Sequence, residues 1–146
     1  MEAFGGCGWG GDASQGTKSD TISTKGIKAK AFVNVTGGTV RIDSCDDSIQ
    51  RSAAVCISGG MIQASPGDDG VHADALLQIS GGKVTIARGY EELEAASVEI
   101  TGVEIEVQAS DDGINEVGGS DGSQEGVDLA VSGGLLHVDA SGDGLD

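Results

Sequence analysis

Aromatic residues make up only 3% of the chain, there is a single proline, and 8 basic residues face 24 acidic ones. So few rings exclude a globular core built on Phe, Tyr and Trp, and one proline excludes a Pro-rich linker. The net charge of −16 argues against a nucleic-acid partner, whose phosphates require Lys and Arg clusters. It suits cations, neutral partners, or acidic partners reached through bridging cations; solubility by charge repulsion is the plain alternative. The three cysteines, Cys7, Cys45 and Cys56, show no Cys-x-x-Cys spacing, and without a histidine cluster they do not make a zinc site. Cys45 and Cys56 are placed to pair within or between neighbouring turns, leaving Cys7 odd. No apolar run reaches the length of a membrane span, so membrane insertion is not expected. Met1-Glu2-Ala3-Phe4-Gly5-Gly6 lacks the basic and apolar regions of a signal peptide, which leaves a processed exported chain or a fragment.

What is abundant is glycine, 26 of 146 residues, together with Val, Ile, Leu and Ala. Both are distributed periodically. A Ser/Thr-Gly-Gly turn recurs at Gly37-Gly38, Gly59-Gly60, Gly81-Gly82, Gly102-Val103 and Gly133-Gly134, in steps of 22, 22, 21 and 31. An aliphatic residue following an acidic turn recurs at Ile49, Val71, Leu93, Ile114 and Leu145 with the same steps. Two independent markers sharing one spacing, irregularities included, define a repeat. Within each copy apolar residues alternate, as in Leu77 and Ile79, then Val84 and Ile86, and period-two alternation denotes strands with one inward face. Three short strand segments closing a loop of about 22 residues form one coil of a parallel β-helix. The expected architecture is therefore an all-β solenoid of about five to six coils over residues 21–146, after a Gly/Ser-rich arm or cap at residues 1–20. Leucine-rich repeats lack support because no Leu-x-x-Leu-x-Leu spacing is present. Calcium-binding nonapeptide rolls fail for want of their period-nine glycine pattern. The long step is an insertion at Val117–Glu125, expected as a surface loop.

Aligning the coils stacks Asp47, Asp69, Glu91, Asp112 and Asp143 in one column, beside Asp46, Asp68, Tyr90, Asp111 and Gly142. Beyond the aliphatic position stand Gln50, His72, Glu94, Asn115 and Asp146. Carboxylates about 4.8 Å apart repel by about 1 kcal/mol per pair in water and by about 3–4 kcal/mol at an effective dielectric of about 20. No Lys or Arg follows Lys25 in these columns, so bound cations are the expected compensation. The hard oxygen ligands suit Ca²⁺. Its candidate ligands are Asp46, Asp47, Asp68, Asp69, Glu91, Glu92, Glu94, Asp111, Asp112, Asn115 and Asp143. The competing reading is that Asp-Asp-Gly is only good turn chemistry. His72 and His137 fall in different columns and read as exposed polar positions.

Lys25-Gly26-Ile27-Lys28-Ala29, Asp68-Asp69-Gly70-Val71-His72-Ala73-Asp74, Ile79-Ser80-Gly81-Gly82, Tyr90-Glu91-Glu92-Leu93-Glu94 and Ser110-Asp111-Asp112-Gly113-Ile114-Asn115 together resemble a family of bacterial surface carbohydrate-binding proteins. The resemblance implies a right-handed parallel β-helix like that of pectate lyases, calcium binding, and a polysaccharide partner that is pectin- or cellulose-like. It also implies an extracellular or cell-surface location. Tyr90, His72 and Arg88, beside the acidic turns, are the candidate sugar contacts. Where the family has Tyr-Glu-Gly-Leu-Glu-Gly this chain has Tyr90-Glu91-Glu92-Leu93-Glu94-Ala95, which puts the geometry of that turn in question. A lyase would need calcium and a base. Arg88 is the best-placed candidate, but an isolated arginine reads as surface charge, so a binding module is expected rather than an enzyme. The remaining alternative is a structural subunit of an extracellular filament, formed by head-to-tail stacking of solenoids.

Overall fold

In the computed structural model, residues 1–4, 25–51, 53–116 and 128–145 are described, and all their regular structure is β-strand. The expected parallel β-solenoid is what these residues form. Each coil pairs one short strand with one long one. The short strands are β2 (Ile27–Ala29), β4 (Ile49–Arg51), β6 (Val71–Ala73), β8 (Leu93–Ala95) and β10 (Ile114–Glu116). They stack in parallel in the order β10-β8-β6-β4-β2. The long strands are β3 (Phe32–Asp43), β5 (Ala54–Ser65), β7 (Leu76–Gly89), β9 (Ser97–Ala109) and β11 (Asp128–Ala140). They form a second parallel sheet, with β1 (Glu2–Phe4) added beside the distal half of β3 through Glu2↔Arg41 and Phe4↔Asp43. The other residues of the expected arm, the insertion at 117–125, and Cys7 and Trp9 lie outside the described residues.

Each long strand turns at its glycine pair, where Gly38, Gly60 and Gly82 have φ of 82°, 94° and 90°. A side chain is strained in that region of backbone space. In the fourth copy, Thr101-Gly102-Val103, the first glycine takes the positive φ (63°) and Val103 is buried instead. Each marker column is a hydrogen-bonded register: Ile27, Ile49, Val71, Leu93 and Ile114 pair successively, and Leu145 bridges to Ile114. Inside run parallel ladders such as Val35, Ile57, Ile79 and Ile100, or Val40, Ile62, Val84 and Ile105. Burying each such aliphatic side chain contributes about 1.5–3 kcal/mol.

The irregular steps are absorbed at corners. Ala73 pairs with Ala95, but the next inward pair is Leu77 with Val98, so the fourth coil loses its residue in the corner after β8. The long step is absorbed between β10 and β11, and β11 resumes register with Leu129↔Val98 and Val131↔Ile100. Along β11, the last strand of its sheet, Val131 and Leu135 are exposed.

Cys45 is disulfide-bonded while Cys56 is a free, half-buried thiol, so these two do not pair with each other.

Replacing Ile79, fully buried in the central ladder, by Ala is expected to lower unfolding free energy by about 2–5 kcal/mol. Leu135→Ala, on the exposed outer face, should stay within about 0.5 kcal/mol of the parent in the same denaturant titration.

Candidate functional site

The acidic turns stack through their own main chains. Ser48 N donates to Asp69 O (2.9 Å), Gly70 N to Glu91 O (3.0 Å), Glu92 N to Asp112 O (3.3 Å) and Gly113 N to Asp143 O (2.9 Å). This ladder fixes the aligned carboxylates one strand spacing apart and makes the ridge a structural fact. The side chains resolve it into three neighbourhoods and one intruder.

At the start of the ridge, Lys25 Nζ lies 2.6 Å from Asp47 Oδ2 and 3.1 Å from Asp46 Oδ1, with both carboxylates nearly buried. Burial works to lower the Lys25 ammonium, but its hydrogen bonds to Asp47 and Asp46 outweigh that and hold it above its ordinary value. Burial pushes Asp47 up, against the pull of Lys25. Asp68 brings a carboxylate oxygen within 4.8 Å of those of Asp46 and Asp47, so Lys25 already stands at the cation position of this group.

In the middle of the ridge is His72. Its Nδ1 lies 2.6 Å from Glu94 Oε2 and 3.6 Å from Asp69 Oδ2, and its Nε2 lies 3.1 Å from Asp74 Oδ1. A ring with carboxylates against both nitrogens is an imidazolium, because a neutral ring has only one N–H. The Asp69 and Glu94 carboxylates push His72 up to about 10, against burial; of the two, only the 2.6 Å contact to Glu94 is within hydrogen-bond distance. His72 in turn holds Glu94 below its usual value, while burial pushes Asp69 up. The expectation that His72 is an exposed polar position is corrected: it is half-buried and supplies a fixed cation. Its contribution to stability is complete below about pH 6.5 and is lost as pH rises through about 10.

Farther along, Glu91, Asp111 and Asp112 bring carboxylate oxygens within 4.8 Å of one another. Among the described residues no Lys, Arg or His forms an ion pair with any of them. Burial pushes Glu91 up, opposed by the Asn115 amide against it. Asp112 Oδ1 accepts from Asp143 N at 2.7 Å. Tyr90 is half-exposed, and the neighbouring Asp111 carboxylate pushes its hydroxyl up. Arg88 is exposed at φ 75° and bulges from the ladder, since Ala87 pairs with Gln108 and Gly89 with Ala109. Of the three candidate sugar contacts, His72 is committed to the ridge's own acids, whereas Tyr90 and Arg88 flank it.

Glu92 does not face outward at all. It stands in the column Gly26, Ser48, Gly70, Gly113 and Gly144, where every other residue is small, and it is fully buried. Its Oε1 accepts from Gly89 N at 2.7 Å, while Oε2 finds no partner among the described residues. Burial pushes Glu92 up to about 7, as for any carboxylate denied solvent. It therefore does not join the other acids as a cation ligand. A small-residue column interrupted once was the signal in the sequence for this inward placement.

The fit of a hard cation differs along the ridge. The group Asp46, Asp47 and Asp68 has a lysine in place, and the groups containing Asp69 meet the His72 imidazolium. Glu91, Asp111 and Asp112, with Asn115 beside them, offer oxygen donors alone, the chemistry of Ca²⁺ rather than of a softer metal.

For Glu92 the folded value near 7 stands above the unfolded 4.5, so the folded state retains a proton that the unfolded state has lost. Stability should decline by about 3 kcal/mol between roughly pH 4.5 and just above 7. The difference in melting temperature between the parent and Glu92→Gln, followed over that window, should carry this slope. Parallel pH profiles would sink the assignment.

Residues 7–70 match a family model described as "Carbohydrate-binding domain-containing protein". The match covers under half of the chain and ends before the Glu91, Asp111 and Asp112 group. No match was found among curated proteins or among solved structures.

Proposed function

We propose that the protein is a non-catalytic carbohydrate-binding module whose acidic ridge holds Ca²⁺ at Glu91, Asp111 and Asp112, the ion bridging to carboxylates of an acidic polysaccharide. The observation that carries this reading is the oxygen-only cluster lying on the same solenoid whose first coils match a carbohydrate-binding family model. Asn115, whose amide lies against Glu91, is close by to extend the coordination toward the six to eight oxygens that calcium takes. A protein of charge −16 otherwise repels a uronate polymer; a divalent ion shared between the two reverses the sign of that contact. Tyr90, half-exposed beside Asp111, is placed to lie against a sugar ring held there. The disulfide at Cys45 supports an extracellular or cell-surface location, where such bonds persist.

Titration calorimetry on EDTA-treated protein should show calcium binding that Asp111→Asn and Asp112→Asn each weaken by about tenfold or more. Asp46→Asn, beside Lys25, should leave it nearly unchanged. At free calcium about 100 times the dissociation constant, the ion should add about 2.7 kcal/mol to stability. Retention on immobilised polygalacturonate should vanish in EDTA. No heat and no change in melting temperature on adding calcium would remove the metal, and retention that persists in EDTA would remove the bridge.

A further inference from the structure

The distal half of the long strands carries a second array of polar groups, on the outer surface and away from the ridge's ion pairs. Ile86 and Val107 point into the core, and Val138 packs against it. Strand alternation therefore turns their neighbours outward. Thr85, Glu106 and His137 stand in one register row, and Ala87, Gln108 and Asp139 in the next. These six line a shallow cavity of about 140 Å³. Thr85 and Ala87 are short beside Glu106 and Gln108 of the next coil. Gln108 Nε2 donates to Asp139 Oδ2 at 3.3 Å, which orients both planar groups across the rim.

The chemistry of this lining differs from that of the ridge. Two carboxylates, one amide, one hydroxyl and one imidazole offer both acceptors and donors, and planar carboxylates and amides can each engage two adjacent hydroxyls. No Lys or Arg lines the cavity, so it holds no counter-charge for a uronate or a phosphate. Among the described residues, the acids that converge closely enough to share an ion lie on the ridge and not here. The cavity is small and polar, and its size matches a single sugar ring better than an extended apolar ligand.

We propose that this cavity is a subsite for one ring of an uncharged polysaccharide, whose hydroxyl groups bond to Glu106, Gln108, His137 and Asp139 without a metal ion. The inference rests on the carbohydrate-binding reading and adds to it a separate surface and a separate sugar class. The two surfaces follow one another along the chain: Gln108 is three residues before Asp111. The proposed subsite spans three coils, and its middle strand, β9, leads directly into the acidic turn at Asp111 and Asp112.

Affinity electrophoresis in gels containing hydroxyethylcellulose, galactomannan or arabinoxylan, each with EDTA, and in polygalacturonate with calcium, tests this. The parent protein should be retarded by at least one neutral polymer in EDTA. Glu106→Gln and Asp139→Ala, both at exposed positions, should weaken that retardation by about tenfold or more while keeping the parent's melting temperature and its retention by polygalacturonate. Asp111→Asn should do the reverse. Neutral-polymer retardation that survives both groove substitutions overturns the subsite. So does its absence in all three gels while polygalacturonate still retains the protein, an outcome that leaves the ridge reading standing. A parent protein that no polymer retards overturns both.

Discussion

Main-chain hydrogen bonding between successive turns is the constraint from which the rest follows. Once Ser48, Gly70, Glu92 and Gly113 donate to the turn above, whatever side chains those turns carry are brought to strand spacing. Aliphatic side chains gain by this, and the Ile49, Val71, Leu93 and Ile114 ladder is fully buried. Carboxylates lose by it, because like charges at that spacing repel and burial strips them of water. The fold imposes the proximity, and the sequence must supply a remedy coil by coil.

The remedies are different in kind. Lys25 lies across Asp46 and Asp47 as a fixed ammonium, and His72 as an imidazolium among Asp69, Glu94 and Asp74. Glu92 escapes the ridge by turning inward, where it is best accommodated as a neutral acid. Among the described residues Glu91, Asp111 and Asp112 have none of these, which is the ground on which we propose a cation there. Removing one partner from a buried ion pair strands the other charge, a larger loss than the pair itself contributes. The ridge is therefore a coupled unit and not a row of independent acids.

The periodic part of this structure was legible in the sequence. Register pairs such as Ile57 with Ile79, and the positive φ of Gly60 and Gly82, follow from two markers keeping one spacing. Side-chain direction within a turn is not given by alternation, which tells in from out only along a strand, and the column of small residues that did carry it for Glu92 is a weaker signal. Hence Glu92 read as an outward ligand although its column is otherwise Gly or Ser. The role of His72 was hidden for another reason: its partners Asp69, Asp74 and Glu94 belong to two coils, and only side-chain geometry shows that one ring reaches all three. The bulge at Arg88 was equally silent, because the offset it introduces between Gly89 and Ala109 is made good before Leu93 pairs with Ile114 and so leaves the spacing of the markers unchanged.

The unequal placement of Lys25 and His72 gives the ridge a direction. Both built-in cations sit toward its first half, and the carboxylates of the second half face solvent with no counter-charge among the described residues. Among the described residues, built-in positive charge is therefore confined to the part of the ridge near Lys25 and His72, and the group at Glu91, Asp111 and Asp112 has none. One uniform pitch thus carries two electrostatic arrangements, neutralised from within in one half and dependent on solvent and its ions in the other.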